Sequence, residues 1–192
     1  LRQAGEIVNH KRVDRLYAEE KLQIKRRRRK KVPITDRQPL LRPDTANEVW
    51  SMDFVFDRSA DGRVVKNLAI VDDATHEAVA IRPERAISGV MVTRILDELA
   101  VTRGLPKVIR TDNGKEFCGR AMLTWAHRHH VVLRLIEPGK PNQNAFIESF
   151  NRTLRKECLG WLKYRRDQLP ELQARVEVFL RFYNTERPHL SL

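Results

Sequence analysis

Between Val49 and Asp57 the chain alternates strictly. Trp50, Met52, Phe54 and Phe56 share one face; Val49, Ser51, Asp53, Val55 and Asp57 share the other, which is the period of a strand. Asp61-Gly62 supplies a hairpin turn, and Val64–Val71 and Glu77–Ile81 read as two further strands. The period then changes. Ser88 is placed to cap a helix carrying Val92, Ile95, Leu96 and Leu99 on one stripe, closed by Gly104 and Pro106. Lys107–Thr111 predicts a short buried strand, Ala121–His130 a helix, and Val131–Ile136 another strand. A loop at Pro138–Asn142 leads into a helix over about 143–161, and a last helix starts near Asp167 with Pro170 in its first turn. Its stripe is Leu169, Leu172, Val176, Phe179, Leu180 and Tyr183. Three strands joined by short turns, followed by helices alternating with strands, imply an α/β fold. Its sheet is an antiparallel three-strand meander extended by two parallel strands, with helices on both faces.

Ahead of this core, residues 6–22 read as a helix with Val13, Leu16, Tyr17 and Leu22 as its apolar positions. Seven consecutive cations follow: Lys25, Arg26, Arg27, Arg28, Arg29, Lys30 and Lys31. Residues 32–46, with Pro33, Pro39 and Pro43, read as linker. Charge follows the same division. Residues 1–46 hold 14 Lys and Arg against 6 Asp and Glu, residues 47–150 hold 14 of each, and residues 151–192 hold 9 against 5. The net charge of +12 therefore sits at the two ends, which points to a polyanionic partner. Two cysteines, Cys118 and Cys158, are too few for a disulfide framework and suit a reducing compartment. No apolar run reaches the length of a membrane span. No glycine-rich phosphate loop or nucleophile elbow occurs. His127, His129 and His130 read as solvated residues at a helix end.

Three carboxylates stand where a site would form. Asp53 lies mid-strand, where aspartate is disfavoured. Asp112 ends a short apolar strand and is followed by Asn113-Gly114, and strand ends are where open α/β sheets build sites. In the helix after Asn142, Ile147, Phe150, Leu154, Cys158 and Trp161 fall on one stripe. Glu148, Arg152 and Arg155 fall on another, about 120° away at 100° per residue. Three acids gathered inside a basic protein make sense when they hold hard divalent cations through oxygen while the basic segments hold phosphates. Each also has a plain structural reading: an exposed strand face for Asp53, an Asp-Asn-Gly turn for Asp112, an ion-paired helix surface for Glu148.

Four runs in order decide between these readings: Trp50-Ser51-Met52-Asp53-Phe54, Val71-Asp72-Asp73, Asp112-Asn113-Gly114-Lys115-Glu116-Phe117, and the stretch from Pro138 to Asn151 that contains Ala145-Phe146-Ile147-Glu148. With Tyr183-Asn184-Thr185-Glu186-Arg187-Pro188-His189, they resemble the catalytic cores of insertion-sequence transposases of the DDE group, related to retroviral integrases. Thirty-five residues separate Asp112 from Glu148, the spacing typical of that group. The resemblance implies a ribonuclease H-like fold, metal-dependent DNA cleavage and 3′-OH strand transfer. By motif match, Asp53, Asp112 and Glu148 take the catalytic and metal-ligand roles, with Mg²⁺ as cofactor and Mn²⁺ as substitute. It implies DNA as partner, at element ends and target duplex, a homo-oligomer in the synaptic complex, no small-molecule substrate, and a bacterial cytoplasmic setting. Lys25–Lys31, Arg152, Arg155 and Lys156 are the expected DNA contacts. The expected domains are residues 1–24, resembling the tail of a helix-turn-helix; 25–46, a basic linker; and 47–192, the catalytic core. Against the family pattern the chain reads as clipped, starting inside the helix-turn-helix and stopping before an expected Gly-x-x-Thr-Pro segment. Lys21 stands where relatives often have Gly, His76 where they often have Arg, and Asn151-Arg152 where Asn-Gly is commoner. A ribonuclease H-like nuclease and an inactive DNA-binding remnant are the alternative functions.

Overall fold

A computed structural model describes residues 9–22, 43–137, 144–160 and 164–187. The chain divides into two compact units, Leu1–Pro39 and Leu40–Leu192. In the first, α1 spans His10–Glu19, ending before the Leu22 that the apolar pattern predicts; residues 6–8 of the expected helix lie outside the described residues. Its start is fixed by Asn9, whose side chain accepts the Lys11 N–H at 3.0 Å. Past its end Lys21 has φ 53, the left-handed region that favours glycine. The basic run Lys25–Lys31 and the Pro-containing linker up to residue 42 lie outside the described residues.

The second unit is built on one five-stranded sheet of order β3-β2-β1-β4-β5. Its strands are β1 (Val49–Arg58), β2 (Val64–Asp72), β3 (Ala78–Glu84), β4 (Val108–Thr111) and β5 (Val132–Leu135). β1–β2 and β2–β3 pair antiparallel, while β4 runs parallel to β1 and β5 parallel to β4. This is the meander with two parallel additions that the pattern implies, a ribonuclease H-like sheet. The β1–β2 turn uses Gly62 at φ 77.

Helices cover both faces. One face packs against α2 (Gly89–Thr102), the single turn α3 (Lys115–Cys118) and α4 (Arg120–His129); their core joins Trp50, Met52, Leu68 and Ile70 to Val92, Leu96, Phe117 and Trp125. The other packs against α5 (Ala145–Leu154) and α6 (Leu169–Thr185); here Val55, Ala69 and Val71 meet Ile147, Phe150, Leu154, Val176 and Phe179. β1 is therefore covered on both sides, and Trp50, Ser51 and Met52 are all fully buried. Its alternation separates two cores rather than core from solvent, as a central strand requires. Phe56 departs from the inward reading: near the far end of β1, it is 54% exposed.

Ser88 caps α2 as its position predicts, accepting the Met91 N–H at 3.3 Å, and Gly104 beyond the helix has φ 87. The helix expected over 143–161 is split. It is α-helical to Leu154 and continues as a π-turn, Arg155–Leu159, closed by Gly160 N–H donating to the Arg155 carbonyl at 2.7 Å. Ile147, Phe150, Leu154 and Cys158 are buried as the stripe predicts, while Trp161 lies outside the described residues. Ahead of α6 a 3₁₀ turn, Arg166–Gln168, accounts for the earlier start expected from sequence.

Candidate active site

Asp53 occupies the middle of the central strand, paired across to Ala69 of β2 and two residues past Ser51, the last residue of β1 in register with β4. Its side chain is half-buried on the α5 side of the sheet. Oδ1 accepts the N–H of Phe54 at 2.7 Å, and Oδ2 accepts Nδ2 of Asn151 at 2.8 Å. Burial pushes its pKa from 3.8 to about 6; the charges of Asp112 and Glu148 push the same way, while the two hydrogen bonds oppose them. The structure thus places Asp112 and Glu148 each within electrostatic reach of Asp53.

Asp112 is the first residue past β4. Its Oδ1 accepts the N–H of Gly114 at 2.9 Å. A β-carbon on Gly114 would stand 2.9 Å from that same oxygen, so glycine here serves close approach to the carboxylate rather than an unusual backbone angle. The loop is held at both sides. Asn113 donates Nδ2 to the Ile136 carbonyl at 2.9 Å, and buried Phe117 stacks on Phe54 with centroids 4.7 Å apart.

Glu148 is in the first turn of α5, on the exposed side, because Ile147, Phe150 and Leu154 turn the opposite side into the core. It shares a cleft of about 470 Å³ with Asp53, Asn151, Arg152, Arg155 and Lys156. Carboxylates and three cations therefore face one space, as the helical stripe predicts. Asp112 adjoins this cleft through its charge on Asp53 rather than lining it. A larger groove of about 710 Å³ beside α6, lined by Tyr164, Leu172, Arg175 and Val178, contains none of the three carboxylates, so size alone does not pick out the site. Among the described residues, no group of three or more His, Cys, Asp or Glu side chains is gathered closely enough to hold a metal ion as it stands. The donor chemistry nevertheless suits a hard divalent cation: three carboxylates, one of them kept from ionising chiefly by burial.

Two features escape a reading of the sequence for site residues. Asn151 is buried one turn beyond Glu148 and ties α5 to Asp53; a polar residue bordering the apolar stripe, three places from the acid, is the only local signal for it. Beneath the carboxylates lies a buried ion pair, Arg110 Nη1 to Asp73 Oδ2 at 2.7 Å. Arg110 pairs in register with Ser51, two residues before Asp53 along β1 and two before Asp112 along the chain. Burial raises Asp73 to about 6 despite this partner. Its neighbour Asp72, also fully buried, accepts the N–H groups of Asn47 (2.7 Å), Ala74 (3.0 Å) and Thr75 (3.2 Å).

Known proteins share both sequence and shape with this chain. The integrase core domain matches residues 43–141, and a second description of that domain matches residues 129–192. The uncharacterized 39.2 kDa protein of insertion element IS476 from Xanthomonas euvesicatoria is 46% identical over 186 residues, covering 96% of this chain and 53% of that protein. The uncharacterized 31.7 kDa protein of insertion element IS407 from Burkholderia multivorans is 46% identical over 190 residues, 98% of this chain and 67% of that protein. The chain thus spans about half the length of the first relative and two thirds of the second. Among solved structures, the HTLV-2 integrase catalytic core domain in complex with magnesium superposes with a TM-score of 0.59 at 15% identity, covering 76% of this chain and 90% of that one, a likeness of fold.

Proposed function

Because the chain belongs to the integrase core family, we propose that it is the catalytic core of an insertion-sequence transposase that cuts DNA and joins the freed 3′-OH to a target strand. The observation that carries this reading is the cleft in which Asp53, with Asp112 beside it, faces Glu148 and three cations. In the first step a water oxygen attacks phosphorus at the element's end, the P–O3′ bond breaks, and the leaving oxygen takes up a proton as 3′-OH. In the second, that hydroxyl attacks a target phosphodiester, loses its proton, and releases a target 3′-OH, so bond count is conserved and no energy source is needed.

Asp53, Asp112 and Glu148 are the residues proposed to hold Mg²⁺, with Mn²⁺ as substitute. Bound divalent ions supply charge stabilisation for the attacking and leaving oxygens. Asn151 fixes the rotamer of Asp53, and Gly114 that of Asp112. Arg152, Arg155 and Lys156 hold phosphates beside the carboxylates, which lets the acids face a polyanion. Lys25–Lys31 grip duplex without reading sequence. On this reading residues 1–24 belong to a DNA-binding region, 25–46 to the basic linker and 47–192 to the core, and the assembly on DNA is a homo-oligomer in the bacterial cytoplasm. No described helix is long and apolar enough to cross a membrane.

The test is a strand-transfer reaction with a labelled 3′-OH donor duplex in Mg²⁺, Mn²⁺ or chelator. Joined products, absent with chelator, are expected. Cleavage without joining would make the chain a nuclease, and DNA binding without either would make it an inactive remnant.

A further inference from the structure

The run Tyr183–Arg187 at the end of α6 lies away from the cleft, yet each of its distinctive side chains makes a contact leading toward it. Asn184 grips the edge strand: Ala78 N–H donates to its Oδ1 and its Nδ2 donates to the Ala78 carbonyl, both at 2.9 Å. One side chain thus satisfies both backbone groups of a residue beside the β2–β3 register shift. Tyr183 meets Phe150 of α5 edge-on, with centroids 4.8 Å apart; Phe150 lies between Glu148 and Asn151 in the chain. Arg187 donates two hydrogen bonds to Glu157, Nε to Oε2 at 3.2 Å and Nη2 to Oε1 at 3.0 Å, and stands 5.5 Å from the Tyr183 ring. Both members of that pair are only about one third exposed. Planar two-point pairing fixes orientation as well as distance.

Glu157 is the middle residue of the π-turn, which begins with Arg155 and Lys156 of the cleft wall. A π-turn is a poor backbone conformation that recurs at functional sites and needs outside support to persist. Here the support comes from α6. We propose that Tyr183, Asn184 and Arg187 form a latch that sets α5 and its π-turn against the sheet, and that Arg187 and Glu157 are positioning residues for the chemistry in the cleft. The latch fixes where Glu148, Arg155 and Lys156 stand relative to Asp53. This rests on the transposase reading for its catalytic consequence, but its structural part stands apart from it.

The experiment compares the intact chain with Arg187→Gln, Glu157→Gln, the reversed pair Glu157→Arg/Arg187→Glu, and Leu99→Ala. The last removes core volume from α2, on the other face of the sheet. Hydrogen exchange in the free protein should be faster by about tenfold at amides 155–160 in both single variants, with β1 unchanged. Turnover at saturating DNA and Mg²⁺, well below melting, should fall roughly ten- to a hundredfold in both, as misplacement by about 1 Å does. DNA affinity should change less than about threefold, the reversed pair should recover most of the rate, and Leu99→Ala should lower melting temperature without lowering turnover. Unchanged exchange, or unchanged turnover in both single variants, overturns the proposal. So does lost DNA affinity in Arg187→Gln with Glu157→Gln harmless, which would make Arg187 a phosphate contact. If the intact chain neither cuts nor joins DNA, the proposed function fails, and exchange at 155–160 still decides the latch.

Discussion

Asp53 is held by two hydrogen bonds in a position that burial and neighbouring carboxylates make unfavourable for a charge. A carboxylate kept in such a place is a candidate for a functional role. Asp53→Asn, Asp112→Asn and Glu148→Gln are each expected to abolish Mg²⁺-dependent cutting and joining while far-UV circular dichroism stays unchanged; wild-type strand transfer in any one of them would remove that residue from the set. The raised pKa also has a sign for stability. Unfolded, Asp53 ionises near 3.8, and folded near 6, so the folded state binds the proton more tightly. Its favourable contribution is full below about pH 4 and lost as pH rises through 6. Asp73, raised to about 6 by burial, acts in the same direction. Metal-free Asp53→Asn should therefore be more stable than the parent above pH 6, by on the order of 1 kcal/mol, and gain nothing below pH 4. Melting curves across that range test this, and parallel curves for the two proteins would refute it. Mg²⁺ should raise the melting temperature of the parent, by binding the folded state, and not that of Asp53→Asn.

At the scale of elements, β1 places the chemistry. It carries one core on each face, and Trp50 is the largest fully buried side chain among the described residues. Its indole Nε1 donates to Oδ1 of Asn47 at 3.1 Å, so it has both apolar packing and a satisfied polar tip. Trp50→Ala is expected to cost roughly 3–5 kcal/mol, read by denaturant unfolding. An equally stable variant with weaker DNA binding would instead make Trp50 a base-stacking surface. Phe54 keeps the core role by stacking on Phe117, which anchors the turn that follows Asp112.

For the whole molecule the question is how a chain of net charge +12 gathers acids in one cleft. Residues 47–150, which carry Asp53, Asp112 and Glu148, are charge-balanced, and the surplus lies in the segments before and after them, the latter supplying Arg152, Arg155 and Lys156 of the cleft. Seven adjacent cations cannot be buried unpaired, and counterion release rewards their contact with phosphate. Replacing Lys25, Arg26, Arg27, Arg28, Arg29, Lys30 and Lys31 with glutamine should lower the log–log salt slope of duplex binding by about 4 if about four of them touch phosphates. Cutting at saturating DNA should persist. An unchanged slope would assign the run to linker, and loss of cutting at saturation would show that it helps build the active complex.

Periodicity alone determined the order and type of the main elements, because one-residue alternation and a three-to-four-residue stripe are local properties of burial. It marked the Glu148-Arg152-Arg155 face for the same reason. The roles of Asp53, Asp112 and Glu148 came from the resemblance, since an aspartate at a strand end looks like any turn aspartate. What tertiary structure decided were matters of partners distant in the chain. Phe56 shares the alternating face of Trp50 and Met52 yet is exposed, because what covers each position of β1 is set by distant segments. Asn151 turns inward because Asp53, 98 residues earlier, waits there to accept its hydrogen bond. Asp73 is buried because Arg110, from a strand 37 residues on, lies against it. The helix after Glu148 opens into a π-turn where Arg187, 30 residues further, holds Glu157. The partner in each of these pairings cannot be read from a local pattern, because it depends on which strands and helices the finished sheet brings side by side.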